Sequence, residues 1–97
     1  MFEIFWTNQS KEEFNRIKSD ASQKKRYKAV KKTIQFLSSN PRHNSLQTHE
    51  FSSLKGPNNE KVYVAYAEQK TPAAYRVFWY YGPSKEQITI VAITKHP

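Results

Sequence analysis

Toward its C-terminus the chain reads Tyr75-Arg-Val-Phe-Trp-Tyr-Tyr-Gly-Pro-Ser-Lys-Glu-Gln-Ile-Thr-Ile-Val-Ala-Ile-Thr94. The runs on either side of Gly82-Pro-Ser84 are rich in aromatic and β-branched residues, a composition typical of strands that pack on both faces. Two such runs around a short loop containing Gly and Pro predict an antiparallel β-hairpin. We expect the rest of the chain to be arranged around this hairpin.

A single cation, Arg76, interrupts the first of these two strands. Burying an unpaired guanidinium is costly, so Arg76 needs either a partner or an opening to water. If Tyr81 pairs with Gln87, then Arg76 lies opposite Ala92, on the sheet face that also carries His96. The pattern therefore predicts an arginine and a histidine on one face of the sheet.

Two helices are predicted between a first strand, Phe2 to Thr7, and the C-terminal strands. Ser10-Lys-Glu-Glu13 has the Ser-x-x-Glu spacing of a capping box, which predicts a helix that begins at Ser10. Either Asp20 or Ser22 can cap a second helix, and Asn40-Pro41 ends it. The second helix has an apolar stripe at helical spacing, formed by Tyr27, Val30, Ile34 and Leu37.

The segment from Arg42 to Asn59 is mostly polar, and we predict an ordered loop with short turns there. A further strand is predicted from Val62 to Ala67. The element order is then β-α-α-β-β-β in one domain spanning residues 1–97. This order predicts an α+β fold in which a helical hairpin packs on one face of a small, mostly antiparallel sheet.

Composition and charge limit the possible functions. The chain has 97 residues, and 16 Lys and Arg against 8 Asp and Glu give it a net charge of +8, which favours a polyanion or an acidic protein as partner. It has no cysteine. The few carboxylates are scattered, so we expect neither a metal site nor another cofactor. No apolar run is long enough to span a membrane and the N-terminus does not resemble a signal peptide, so we expect a cytoplasmic protein without a membrane partner.

Three segments resemble one protein family. They are His49-Glu-Phe-Ser-Ser-Leu-Lys-Gly56, Tyr75-Arg-Val-Phe-Trp-Tyr80 and Ile88-Thr-Ile-Val-Ala-Ile-Thr-Lys-His-Pro97. The first resembles the Leu-x-Gly turn of the RelE/ParE superfamily, whose members are toxins of bacterial toxin–antitoxin pairs. The second resembles that family's strand of an arginine, two aliphatic residues and an aromatic residue. The resemblance covers essentially the whole chain, and its C-terminal pattern is closest to the YoeB-like and HigB-like branches.

The resemblance implies a metal-independent endoribonuclease that cleaves mRNA in the ribosomal A site and is silenced by a cognate antitoxin with an acidic segment. It assigns Arg76 to the scissile phosphate and His96 to acid or base chemistry. The chain departs from YoeB-like toxins at Pro97, where they have a tyrosine, and no residue matches their catalytic glutamate. Two alternatives remain open: a ParE-like inhibitor of DNA gyrase without ribonuclease activity, and a degenerate relative that binds only its antitoxin or RNA.

The chemistry of RNA cleavage without a metal defines three roles. The ribose 2′-OH attacks the adjacent phosphate, and this needs a base, a cation for the phosphorane charge and an acid for the leaving 5′ oxygen. Arg76 suits the second role because its planar fork binds two phosphate oxygens; its structural alternative is a salt bridge with Glu68 or Glu50. The candidates for acid and base are His96, His49 and Glu50. His43 is assigned to the surface.

Basic side chains on the second helix lie away from its apolar stripe and predict an RNA-binding or ribosome-binding face. The alternative is a solvated helix exterior. These residues are Lys24, Lys25, Lys28, Lys31 and Lys32. Lys55 and Lys95 flank the predicted site and can add phosphate contacts. Phe78, Tyr80 and Tyr66 are assigned to the core, although such rings can also stack on bases.

Overall fold

A computed structural model describes residues 1–70 and 73–95. Within these residues, five strands form one sheet, and two helices cover one of its faces. The elements are β1 (Glu3–Trp6), α1 (Asn8–Ser19), α2 (Lys24–Ser39), β2 (His49–Lys55), β3 (Lys61–Tyr66), β4 (Tyr75–Tyr81) and β5 (Gln87–Lys95), with short 3-10 turns at Ala21–Gln23 and Asn44–Leu46. The strand order is β1-β5-β4-β3-β2, in which β1 runs parallel to β5 and the other pairs are antiparallel. The predicted α+β fold is confirmed.

The β4–β5 hairpin forms as predicted, but its register differs. Tyr81 pairs with Ile88 rather than Gln87, and Arg76 pairs with Thr94 rather than Ala92. The pairing is already one residue away from the predicted register at Tyr81. A β-bulge adds the second residue, because Phe78 pairs with Ala92 while Trp79 pairs with Ile90, which leaves Val91 as the extra residue. The bulge puts Thr94 beside Arg76 on the same face. His96 lies outside the described residues.

The prediction of a loop throughout residues 42–59 was wrong, because residues 49–55 form β2. This strand lies at the edge of the sheet, and its pairing with β3 is irregular between Glu50 and Lys55. An exposed, irregular edge strand does not need the apolar alternation by which strands are recognised in a sequence. A turn does follow, at Gly56-Pro57-Asn58-Asn59.

Helix α1 begins earlier than predicted and is capped by a different residue. Thr7 is its N-cap and forms a capping box with Ser10, so Ser10 is the N3 residue rather than the cap. The carboxylate of Glu13 instead accepts a hydrogen bond of 2.8 Å from the backbone N–H of Ile93. This bond satisfies a backbone donor next to the bulge and ties α1 to β5.

The second helix agrees closely with its prediction. Asp20 caps the 3-10 turn that leads into α2, and Asn40 follows the last helical residue. The carboxylate of Asp20 accepts bonds from the Ser22 hydroxyl at 2.6 Å, the Gln23 amide at 2.9 Å and the Ser22 backbone N–H at 2.9 Å. These neutral donors lower the pKa of Asp20, with the Ser22 hydroxyl as the largest cause. Val30 and Leu37 of the predicted stripe are fully buried.

The two faces of the sheet carry two apolar clusters. The helix-covered face packs Val77, Trp79, Ile88 and Ile90 against α1 and α2, with Tyr63 and Tyr81 at its margin. The second face carries a smaller cluster of Val62, Val64, Phe78, Tyr80 and Ala92. Phe78 and Tyr80 are therefore core residues, as predicted. Within residues 1–70 and 73–95, neither helix has the length and apolar character needed to cross a bilayer.

Candidate functional site: an uncompensated arginine on the second face

Arg76 lies on the second face of the sheet, beside a tyrosine of the neighbouring strand. It pairs with Tyr66 of β3 and with Thr94 of β5, and cross-strand partners share a face. The guanidinium carbon of Arg76 stands 3.9 Å from the centroid of the Tyr66 ring. This is a cation–π contact, in which the ring face stabilises the positive charge without neutralising it.

Backbone carbonyls are the hydrogen-bond partners of the Arg76 guanidinium. Its Nη1 donates to the carbonyl oxygen of Glu68 at 2.9 Å, with a longer contact of 3.5 Å to that of Tyr75. Its Nε is buried and has no acceptor among the described residues. Within that part of the chain Arg76 also forms no salt bridge. The side chain is thus oriented by neutral groups and keeps its full positive charge.

The two glutamates considered as structural partners of Arg76 have other partners. The Glu68 carboxylate bonds to Nε of Arg26 at 2.9 Å and to the backbone N–H of Tyr75 at 3.0 Å. The Glu50 carboxylate lies 3.8 Å from Nζ of Lys55. The structural alternative for Arg76, a salt bridge with Glu68 or Glu50, is therefore absent from the described residues.

His49 extends the site along the same face. It pairs with Val64, and its ring lies edge-on to Tyr66 with centroids 5.7 Å apart. Its Nδ1 is 3.1 Å from the carbonyl oxygen of Gln47. A carbonyl only accepts, so Nδ1 carries the hydrogen and the lone pair of the neutral imidazole is on Nε2. We call Arg76, Tyr66 and His49 the Arg76 cluster.

Tyr66 is the member of this cluster that the sequence analysis missed, because it was assigned to the core. The alignment of β3 with β4 was the signal that could have identified it, since Tyr66 is the direct partner of Arg76. Its ring contacts both the guanidinium and the imidazole.

Two other candidates do not join the cluster. Glu50 pairs with Tyr63, which packs into the helix-covered core, so this pairing puts Glu50 on the opposite face. His43 stacks on Phe36 at 4.2 Å, and its Nδ1 accepts from the backbone N–H of Ser45. Its neutral form therefore carries the hydrogen on Nε2, opposite to His49.

The predicted RNA-binding lysines are exposed, and most of them lie in the helix layer. Lys24, Lys25, Lys28, Lys31 and Lys32 project from α2, where Lys31 and Lys32 also stand over the rings of Tyr27 and Phe36. The start of α2 bonds through Arg26 to the carboxylate of Glu68, the residue whose backbone carbonyl accepts from Arg76. Lys95 is exposed and pairs with Tyr75, next to Arg76. Lys55 is exposed on β2.

Carboxylates and histidines are not grouped as metal ligands in the described part of the chain. Residues 1–70 and 73–95 contain no group of three or more His, Asp or Glu side chains that could hold a metal ion. The chemistry available at the Arg76 cluster is that of a fixed cation and an imidazole with a free lone pair.

The fold, rather than the sequence, relates this chain to known proteins. No protein-family model matches it, and no curated protein matches it in sequence. Its structure is similar to a YoeB/ParE toxin from Agrobacterium tumefaciens, with a TM-score of 0.72 and 12% identity over 99% of this chain and 100% of the toxin.

Two complexes show the same architecture. One is an archaeal RelE–RelB complex from Pyrococcus horikoshii OT3, with a TM-score of 0.65 and 16% identity over 97% of this chain and 93% of that one. The other is the intact RelBE toxin–antitoxin complex of E. coli, with a TM-score of 0.61 and 12% identity over 100% and 99% of the two chains. The fold of this chain is thus that of the RelE/ParE superfamily of toxins, which confirms the fold implied by the resemblance in its sequence.

Proposed function

We propose that this chain is the toxin of a type II toxin–antitoxin pair and that it cleaves mRNA on the ribosome without a metal ion. The observation that carries the proposal is the uncompensated charge of Arg76. A guanidinium held at 2.9 Å by a carbonyl and at 3.9 Å by a tyrosine ring is preorganised for an anion.

The Arg76 cluster supplies two of the three roles that RNA cleavage requires. Nε2 of His49 accepts the proton of the 2′-OH, whose oxygen attacks the adjacent phosphorus. Arg76 binds the phosphate oxygens on which negative charge develops. The bond from phosphorus to the 5′ oxygen then breaks and leaves a 2′,3′-cyclic phosphate. We assign the proton donor for the 5′ oxygen to His96, on the basis of the sequence resemblance.

The partners follow from charge and from the similar structures. The exposed lysines of α2 and the net charge of +8 suit contacts with ribosomal RNA. Two of the similar structures are named as complexes of RelE with RelB or as RelBE. We therefore assign this chain an acidic cognate antitoxin, and we place its action in the cytoplasm, where mRNA is translated.

Induced expression in bacteria tests the proposal. Labelled methionine and labelled thymidine incorporation are followed in parallel, and the 5′ ends of transcripts are mapped. We expect methionine incorporation to fall first, with cuts inside translated codons. Early failure of DNA synthesis with intact transcripts would instead assign the chain to gyrase inhibition. Normal growth would indicate a relative that no longer harms the cell.

A further inference from the structure

A cleft lies on the helix-covered face of the sheet, whereas Arg76 and Tyr66 lie on the second face. It has a volume of about 300 Å³, close to the lower limit for small-ligand sites. Three aromatic residues, Tyr63, Trp79 and Tyr81, form one part of its wall, and residues of the segment that connects α2 to β2 form the rest. His49 borders the cleft and also belongs to the Arg76 cluster.

The aromatic part of the wall offers flat surfaces. Tyr63 lies 5.1 Å from Trp79 at an angle of 31°, and Tyr81 lies 4.8 Å from Trp79 at 82°. Tyr63 and Tyr81 are half-buried, whereas Trp79 is fully buried. The indole N–H of Trp79 has no acceptor within the described residues. An unsatisfied buried donor is unfavourable, so a ligand that offers an acceptor to this indole N–H is stabilised.

The other part of the wall is polar and, as far as the described residues go, contains no carboxylate. Arg42 is exposed and forms no salt bridge with any described residue. Asn44, Gln47 and Thr48 contribute amide and hydroxyl groups. The neutral ring of His43 carries its hydrogen on Nε2, which adds a donor. A ligand that fits has a flat ring, edges with both donors and acceptors, and a negative charge.

We propose that this cleft binds one nucleotide, with its base against the aromatic wall and its phosphate at Arg42. Aromatic side chains stack on unpaired bases, and amides bond to base edges. Arginine binds phosphate oxygens through its planar fork. The small volume suits a single base.

The position of the cleft makes an RNA strand the source of this nucleotide, and this step rests on the proposed function. His49 borders both the cleft and the Arg76 cluster, so a strand cleaved at Arg76 passes around the edge of β2 and inserts a neighbouring base. The cleft then contributes to the choice of cleavage sequence, since its amide groups contact the base edge. A free mononucleotide has the same chemistry, and the experiment distinguishes it from RNA.

The test uses the purified full-length chain labelled with ¹⁵N. The chain has two tryptophans, Trp6 and Trp79, so two indole N–H signals are followed, and a Trp6→Phe variant assigns them. Trp6 lies in β1 against Phe14 and serves as an internal reference. The probes are the four nucleoside 5′-monophosphates, inorganic phosphate, and a tetranucleotide whose 2′-OH groups are methylated to prevent cleavage.

We expect saturable movement of the Trp79 signal with nucleotides and with the tetranucleotide, while the Trp6 signal stays in place. Arg42→Gln weakens this binding about tenfold, the effect of losing one charged hydrogen bond. Arg16→Gln removes an equal charge from the exposed surface of α1 and leaves binding unchanged.

Three outcomes overturn part or all of the inference. An unmoved Trp79 signal overturns the site, and so does equal movement with inorganic phosphate, because the base then contributes nothing. Binding of mononucleotides but not of the tetranucleotide overturns the RNA source and leaves a free-nucleotide site. Failure of the proposed function is distinguishable, since a chain that cuts no RNA in cells can still give the Trp79 response.

Discussion

Arg26 and Arg76 approach the same glutamate from two elements and form different interactions with it. Both guanidinium groups lie on a tyrosine ring, Arg26 at 4.1 Å from Tyr75 and Arg76 at 3.9 Å from Tyr66. Arg26 bonds to the carboxylate of Glu68, whereas Arg76 bonds to its backbone carbonyl. The single carboxylate therefore neutralises Arg26 and not Arg76.

The difference separates a structural arginine from one that is available to a ligand. A salt bridge between partly buried groups fixes α2 to the β3–β4 connection. Its carboxylate bonds to Nε of Arg26, and Nη1 of Arg26 donates to the Gln23 side chain. A carbonyl orients Arg76 without cancelling its charge. The guanidinium can therefore still attract a phosphate electrostatically. The cation–π contact alone does not distinguish the two roles, because both arginines have one.

The largest expected effect comes from Arg76→Gln, which keeps a hydrogen-bonding side chain and removes the charge. We expect RNA cleavage to fall about 1,000-fold, the upper range for the loss of one group that stabilises the transition state. Cleavage of a defined mRNA in a reconstituted translation system measures it.

Arg26→Gln is the matched control, because it removes the same type of side chain from a tyrosine ring. Its cleavage rate should stay within a few-fold of the wild-type rate. Equal loss of activity in both variants would remove the distinction between the two arginines.

His49→Ala removes the imidazole of the Arg76 cluster and tests its role as general base. We expect cleavage to fall about 100-fold, the lower range for losing a general base. Glu50→Ala, which alters the next residue of β2 on the opposite face of the sheet, should retain activity in the same translation assay. Unchanged cleavage by a folded His49→Ala protein would assign the base to another residue.

The sequence predicts β4 and α2 well because local patterns determine them. The aromatic and β-branched run gives both ends of β4, and four apolar residues at helical spacing give the buried face of α2. The bulge at Val91 has no such pattern, since Ile88 and Ile90 continue as a regular alternation. Glu13 accepts from Ile93 beside the bulge, and these two residues are 80 positions apart along the chain.

The same limit applies to the site. Arg76 was identifiable because an isolated cation in an aromatic strand is conspicuous. His49 was identifiable because it begins the first of the three segments that resemble the family. Glu50 was grouped with His49 as its neighbour in sequence, but successive residues of a strand point to opposite faces. Tyr66 required the alignment of β3 with β4, and that alignment depends on distant contacts.

Glu68→Gln removes the charge that Arg26 binds and keeps the backbone carbonyl that Arg76 binds. We expect the free energy of unfolding to fall by about 1–2 kcal/mol, because Arg26 loses its charged partner while the amide oxygen can still accept from Tyr75. Urea denaturation measures this change. Cleavage should persist, since Arg76 uses the backbone carbonyl; a folded but inactive variant would show that the carboxylate charge contributes to the site.

Asp20→Asn has the smallest expected effect and tests a carboxylate that, like Arg76, is held by neutral groups. Bonds from Ser22 and Gln23 lower the pKa of Asp20 in the folded protein. Its stabilisation is therefore complete above the unfolded pKa of about 3.9 and is lost as the pH falls through the lower folded pKa. The difference in melting temperature between wild type and variant should be larger at pH 7 than at pH 3. An equal difference at both values would exclude the ionised form as its cause.

The parallel pairing of β1 with β5 has a consequence for synthesis. Residues 3–6 form hydrogen bonds with a strand that begins at Gln87, and β5 also separates β1 from β4 in the sheet. β1 therefore has no partner in the sheet until β5 has been synthesised, and such long-range contacts form late. A nascent chain that stops before β5 lacks both the partner of β1 and one neighbour of the strand that carries Arg76. The sheet around Arg76 is therefore complete only after β5 has been made.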